Sequence, residues 1–366
     1  MSARKRVFLL LLVTGVALAT YAVLVIVEPG TVTFDGRVAR GHSVVVSPDG
    51  QRLAGRDVSE NFRIWDACGR TLAQIPCPIG YHHVLFSPDG SHVAVAFDNS
   101  KTVSYWDLAT ARQIGTFEGH KTSVSALAFH PAGRTLAAVA HDDRTVISWD
   151  VATGIEQDVF RLHSFCHAIA FSPDGMTLAY GSDNDIELRE AQTNRVKGIL
   201  RGHGIRGTSV MKLVFSPDGR TLASTHFAEV SLRLWDVGAA KERYLESPDW
   251  WWDDCDPYIE SIAFSSDGNT LATTSSYSVG VWDVKSGRSI ARLRPGRSDT
   301  ELTVPYMPGL RTVLNTSREL NAVQFAADGR LFVYGKQSDR LKRWTLTQTK
   351  QFTRQEKQFP IRSGGF

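Results

Sequence analysis

A short turn-forming signature returns seven times along this chain, and that periodicity restricts the fold more than any other feature. The copies read VVVSPDG (44–50), VLFSPDG (84–90), LAFHPAG (127–133), IAFSPDG (169–175), LVFSPDG (213–219), IAFSSDG (262–268) and VQFAADG (323–329). Their last glycines, Gly50, Gly90, Gly133, Gly175, Gly219, Gly268 and Gly329, stand 40, 43, 42, 44, 49 and 61 residues apart. Such a period belongs to architectures in which one supersecondary unit is copied. A second signature follows each copy: Trp65-Asp66, Trp106-Asp107, Trp149-Asp150, Leu188-Arg189, Trp235-Asp236, Trp282-Asp283 and Trp344-Thr345. Six of the nine tryptophans thus hold one repeat position, and the other three are consecutive, Trp250, Trp251 and Trp252.

The chemistry of one repeat predicts its elements. In Ser216-Pro217-Asp218-Gly219, Pro in second place and Gly in fourth suit a type I turn between two strands. The flanks, 211–215 and 220–224, are short and alternate apolar with polar residues. SLRLWDV then reads as a third strand and KERYLE as a fourth. Apolar residues three and four apart over ten or more positions, as a helix requires, are missing. One four-stranded sheet cannot bury both faces, whereas seven placed radially can.

These repeats resemble the WD40 family over roughly residues 31–355, because five Trp-Asp pairs, the S-P/S-D-G turns and three Gly-His pairs (41–42, 119–120, 202–203) recur in register. The resemblance implies an all-β, seven-bladed propeller, with Trp65, Asp66, Trp106, Asp107, Trp149, Asp150, Trp235, Asp236, Trp282, Asp283 and Trp344 as structural positions. It also implies that Gly41-His42 follows a blade's outer strand. Residues 32–40 then supply the fourth strand of blade 7, the favoured arrangement, with 350–355 as the alternative. The family's buried His, Ser/Thr, Asp and Trp set is incomplete here. Blade 3 offers His120, Asp143 and Trp149 but Ala138 for the hydroxyl; blade 5 offers His203, Ser224 and Trp235, with Glu229 near the Asp place. Apolar packing must therefore carry most of the stability.

Residues 1–6 are basic, and 7–27 are twenty-one residues without a charge. As a helix the run spans about 31 Å, close to a hydrocarbon core. With Arg4, Lys5 and Arg6 before it, it reads as a membrane anchor, N-terminus inside and propeller extracytoplasmic (periplasmic or external). A cleaved signal peptide ending near Ala17-Leu18-Ala19 is the alternative. Beyond residue 6 the body balances 38 basic against 38 acidic residues, so no net field draws it to nucleic acid. Residues 356–366 read as a solvated tail.

Catalytic and cofactor motifs are missing: there is no G-x-S-x-G, H-E-x-x-H, P-loop or EF-hand loop, and no C-x-x-C for a metal or redox site. The expectation is no enzyme activity, no cofactor and no metal. Cys68 and Cys77 bracket one strand and are too far apart to bridge; Cys166 could meet Cys255 only across a folded-over loop. Asp253-Asp254-Cys255-Asp256 reads as a solvated acidic loop before a calcium site.

Strand order a-b-c-d puts the a–b and c–d turns on one face of the disc, and the b–c and d–a loops on the other. Two long insertions, SPDWWWDDCDPY (247–258) and residues 296–319, both leave at d–a junctions of neighbouring blades. Exposed aromatic residues mark contact sites. Trp250, Trp251, Trp252, Asp253, Asp254, Asp256 and Tyr258 are therefore the expected binding patch for a protein or peptide partner, with a tryptophan cap on the core as the competing reading. The expected function is a membrane-anchored interaction platform. A receptor propeller binding a small molecule or glycan at the funnel mouth, beside His226, Phe227 and Tyr277, is the alternative.

Overall fold

A computed structural model describes residues 24–27, 32–33, 45–56, 61–75, 82–97, 100–182, 185–202, 209–226, 232–243, 245, 259–275, 278–293, 302–303, 311–312, 319–325, 331–337 and 340–349. Consecutive strands pair antiparallel into sheets that follow one another around a ring. Blade 3 is typical, with strands Val124–Phe129, Thr135–Ala140, Thr145–Asp150 and Glu156–Arg161 in order a-b-c-d. Against the expectation of seven equivalent blades, six are regular four-stranded sheets. The remaining sheet is five-stranded and draws on both chain ends. Glu319–Phe325, Leu331–Gln337 and Arg340–Thr349 are joined there by Leu24–Val27 and Val32–Thr33, both paired with Arg340–Thr349. Its inner strand lies between blades 6 and 1: Val323 N–H donates to Ser261 Oγ (3.3 Å), and Gln324 Nε2 donates to Ser47 O (3.0 Å).

The outer strand of this sheet thus comes from the N-terminal side, as favoured, but in two short pieces. The expected membrane helix over 7–27 is corrected at its end, where Leu24–Val27 is a strand paired with Leu346–Thr349. LVIV is apolar and largely β-branched, which suits a sheet at least as well as a helix. Residues 7–23 lie outside the described residues, as do 350–366. Among the described residues no helix is long and apolar enough to cross a membrane.

Each S-P/S-D-G turn closes through the same three bonds. In blade 5, Gly219 N–H donates to Ser216 O (2.8 Å), Ser216 Oγ donates to Asp218 Oδ1 (2.6 Å), and Thr221 N–H donates back to Ser216 Oγ (2.9 Å). Gly219 has φ +70°, a conformation costly for any residue with a Cβ. Turns at Ser47, Ser87, Ser172 and Ser265 repeat the Ser-to-Asp bond. These bonds hold the carboxyls of Asp174, Asp218 and Asp267 below the usual range and bring Asp89 to about 2, the serine hydroxyl being the leading cause each time.

The apolar core lies between blades. Trp149 packs toward blade 2 with Tyr105, Phe117 and Leu136, while Val146 faces blade 4. Trp65, Trp149, Trp235 and Trp282 are at most 1% exposed, and losing one such side chain costs about 3–5 kcal/mol. The backbone register corrects the assignment in blade 4. Leu136 pairs with Trp149 and Leu222 with Trp235, and the equivalent Leu178 pairs with Arg189. Arg189-Glu190, rather than Leu188-Arg189, therefore holds the Trp-Asp position.

Candidate interaction face

Every residue of the expected patch, Trp250, Trp251, Trp252, Asp253, Asp254, Asp256 and Tyr258, lies outside the described residues, as do Cys77, His203, Phe227, Glu229, Cys255 and Tyr277. The loop nevertheless leaves between Lys241–Arg243 and Ser261–Phe264, a d–a junction. The second insertion pairs Leu302–Thr303 with Arg311–Thr312 at the next such junction. His226 is 3% exposed and belongs to the interior.

The described part of the same face carries a cluster that no repeat signature announces. The b–c turn of blade 3 is His141-Asp142-Asp143-Arg144, with Arg144 at φ +56°. Its shape is fixed from both sides. Asp143 accepts Lys121 N–H (2.9 Å) and Thr145 N–H (2.9 Å), and Arg144 O accepts Leu162 N–H (2.7 Å). Beside it runs the blade 3 to blade 4 connection, Leu162-His163-Ser164-Phe165, anchored by buried Leu162 and by hydroxyl pairing of Ser164 with Ser182.

These two loops and the strand Cys166–Phe171 bring four side chains together. The Phe165 ring, 44% exposed, stacks on His141 with centroids 4.5 Å apart, and His141 stacks on His167 at 4.0 Å. The Arg144 guanidinium lies 5.9 Å from the Phe165 centroid. Lys121, Arg161, His163 and Arg201 are exposed around the cluster, against Asp142 and Asp185. The surface is therefore aromatic with a basic frame.

Beneath the turn sits a buried ionisable pair. His120 Nδ1 lies 3.5 Å from Asp143 Oδ2 and 3.1 Å from Thr145 Oγ1, with His120 and Asp143 side chains 0% and 8% exposed. The Thr145 hydroxyl meets His120 Nδ1 and Asp143, so the place of the hydroxyl at Ala138 stays unfilled. Trp149 Nε1 donates instead to Glu118 O (3.0 Å). Burial pushes the His120 imidazolium down, against the pull of Asp143. Burial also raises Asp143, but hydrogen bonds from Thr145 and Lys121 outweigh it and hold the carboxyl low. This is a neutral histidine bonded to a satisfied carboxylate, an arrangement that supports the loop above it. In blade 5 the matching bond is Trp235 Nε1 to Ser224 Oγ (2.8 Å).

Cys166 is buried and free, its thiol pushed up to about 12 by burial, and Cys68 is free and exposed. Among the described residues no three His, Cys, Asp or Glu side chains are placed to hold a metal.

Comparison with known proteins agrees with this geometry. The family model "WD domain, G-beta repeat" matches residues 111–150, 154–188, 194–236 and 254–283. The third match ends on Asp236 and the fourth on Asp283, whereas the one in blade 4 stops before Arg189. "U3 small nucleolar RNA-interacting protein 2" of Homo sapiens is 34% identical over 113 residues, 26% of this chain and 24% of that protein. "Protein FIZZY-RELATED 1" of Arabidopsis thaliana is 23% identical over 292 residues, 77% of this chain and 55% of that protein. The chain thus spans about a quarter and about half of these two relatives. Repeats, register and turn chemistry lead to one assignment: the chain is an all-β propeller built from WD40 repeats.

Proposed function

We propose that this propeller is a non-catalytic platform that holds another protein through its d–a face. The observation that carries the reading is the exposed Phe165, stacked on His141 and His167 and framed by Arg144. A rigid, half-exposed aromatic with a neighbouring arginine has the composition of an interface hot spot. The 247–258 loop leaves the same face two blade junctions further on, and its tryptophans and aspartates would extend the contact. The balanced charges of the body give a nucleic-acid backbone no net field to follow.

The test is crosslinked recovery of partners from cells, comparing wild type with Phe165→Ala and with Trp250/Trp251/Trp252→Ala. A partner whose recovery falls about thirtyfold with Phe165→Ala supports the reading, that being the effect of one hot-spot side chain. Equal recovery of every protein from folded Phe165→Ala overturns it. Attachment of this platform to a membrane, propeller outward, belongs to the same proposal. Residues 7–23 are seventeen, the short end of spanning lengths. Release of the intact protein by alkaline carbonate would refute the attachment.

A further inference from the structure

On the opposite face the repeat pattern fails twice at one seam. The blade 3 turn is His130-Pro131-Ala132-Gly133, without the Ser and Asp of its neighbours, and blade 4 has Arg189 where its neighbours have tryptophan. The His130 ring leans over the next turn, where a Cβ on Gly175 would lie 2.1 Å from its Nε2, and meets Phe171 edge-on at 5.3 Å. Between these departures lies an open groove of about 720 Å³. Its apolar wall includes Phe160, Phe171 and Leu178, and its rim carries Asp158, Glu190 and Gln192. Two carboxylates and no Lys or Arg line it.

A guanidinium of the chain already packs at this seam. The Arg189 guanidinium lies 4.9 Å from the Phe160 centroid and 5.6 Å from Tyr180, and pairs with Glu187 at 2.6 Å. Its Nη1 also donates to Asn194 Oδ1 (3.1 Å), a residue of the groove wall. Glu187 answers the charge of Arg189, so the charges of Asp158 and Glu190 face the groove. Glu190 accepts the Thr193 hydroxyl and has exposed Arg195 at 3.8 Å, which leaves Asp158 the more open of the two.

We propose that the groove between blades 3 and 4 binds an arginine side chain of an extended basic segment on a partner polypeptide. The guanidinium would lie against Phe160 and Phe171 and pair with Asp158 and Glu190. Stacking on an aromatic face and paired bonds to carboxylate are properties of guanidinium that a lysine ammonium matches poorly. The site is separate from the d–a face and does not depend on the platform reading.

The probe is a fluorescein-labelled Gly-Ser-Arg-Gly-Arg-Gly-Ser peptide, with citrulline replacing arginine as its neutral isostere. Binding to the full chain is read by anisotropy at 0.15 M salt. Expected is saturable binding that weakens about tenfold or more with citrulline and by a similar factor with Asp158→Asn, the loss of one charge-assisted contact. Asp158→Lys should abolish it. Asp158 is exposed, so both variants keep the fold, which the far-ultraviolet spectrum checks. Phe165→Ala, on the other face, should bind the peptide unchanged. Equal binding of the citrulline peptide, or unchanged affinity in Asp158→Lys, overturns the proposal, as does a loss confined to Phe165→Ala.

Discussion

Ser216→Ala is a small change at an exposed turn, yet the structure predicts a large cost. Ser216 is 1% exposed, and its hydroxyl is used twice: it donates to Asp218 Oδ1 at 2.6 Å and accepts Thr221 N–H at 2.9 Å. Removing it deletes one charge-assisted bond and leaves the N–H of buried Thr221 without its acceptor. Each effect is worth about 1–3 kcal/mol, so together they should cost about 3 kcal/mol. The loss should depend on pH. The Ser216 hydroxyl is the leading cause that holds the Asp218 carboxyl low. A depressed carboxylate stabilises the fold above its ordinary pKa, and that stabilisation is lost as pH falls through the folded value. The variant lacks most of this contribution, so its deficit against wild type should shrink between pH 7 and about pH 3. Urea denaturation followed by tryptophan fluorescence at both pH values measures it. Ser286→Ala is the control: that hydroxyl also bonds an aspartate, Asp283 (2.6 Å), but is exposed, and the change should cost under about 1 kcal/mol. A Ser216→Ala cost below about 1 kcal/mol, or a deficit constant with pH, would refute the reasoning.

Arg189→Ala should cost about 3–5 kcal/mol, because Glu187, 12% exposed, loses its cation; the Glu187→Gln/Arg189→Trp double variant should melt near wild type. Differential scanning fluorimetry separates the two. Thiol titration of the native protein at pH 8 should label Cys68 at once and spare Cys166 until denaturant is added, since burial lifts the Cys166 thiol to about 12. Equal labelling rates would contradict the placement of Cys166.

Much of the architecture was legible because its determinants are local. Ser-Pro-Asp-Gly specifies its turn through bonds among residues five apart or fewer, and alternation of apolar residues specifies the strands beside it. The failures fall where the determinant is distant. Leu188 looked like the tryptophan substitute because it is apolar, whereas the register gives that place to Arg189. An arginine is tolerated there because Phe160 from blade 3, Tyr180 from the neighbouring strand and Glu187 two residues back on its own strand enclose it. The hydroxyl missing at Ala138 is bypassed, because the backbone carbonyl of Glu118, twenty residues earlier, accepts the Trp149 N–H. His141, Phe165 and His167 look unremarkable in sequence, since they come from two loops and the strand Cys166–Phe171, which only the ring brings together. The apolar run ending in LVIV suited helix and strand equally, and pairing with Leu346–Thr349, over three hundred residues away, is what makes its end a strand.

The two faces of the disc differ in how their polar groups are used. On the turn face, Ser87, Ser172, Ser216 and Ser265 each turn their hydroxyl on the local Asp, and Asp107, Asp150 and Asp283 bind a hydroxyl within their own c–d turns. Groups used this way are unavailable to a partner. Binding capacity on that face should therefore appear where the pattern breaks; at the seam of blades 3 and 4, His130 lines the groove and Arg189 packs against Phe160 of its wall. Among the described residues the d–a face carries no such repeated bonding scheme, which leaves its loops room to diverge blade by blade. His141 and Phe165 at one junction, and long insertions at two others, show that divergence. A propeller of this kind can keep the ring while its loops vary, and in this chain both proposed contact sites lie at departures from the repeat.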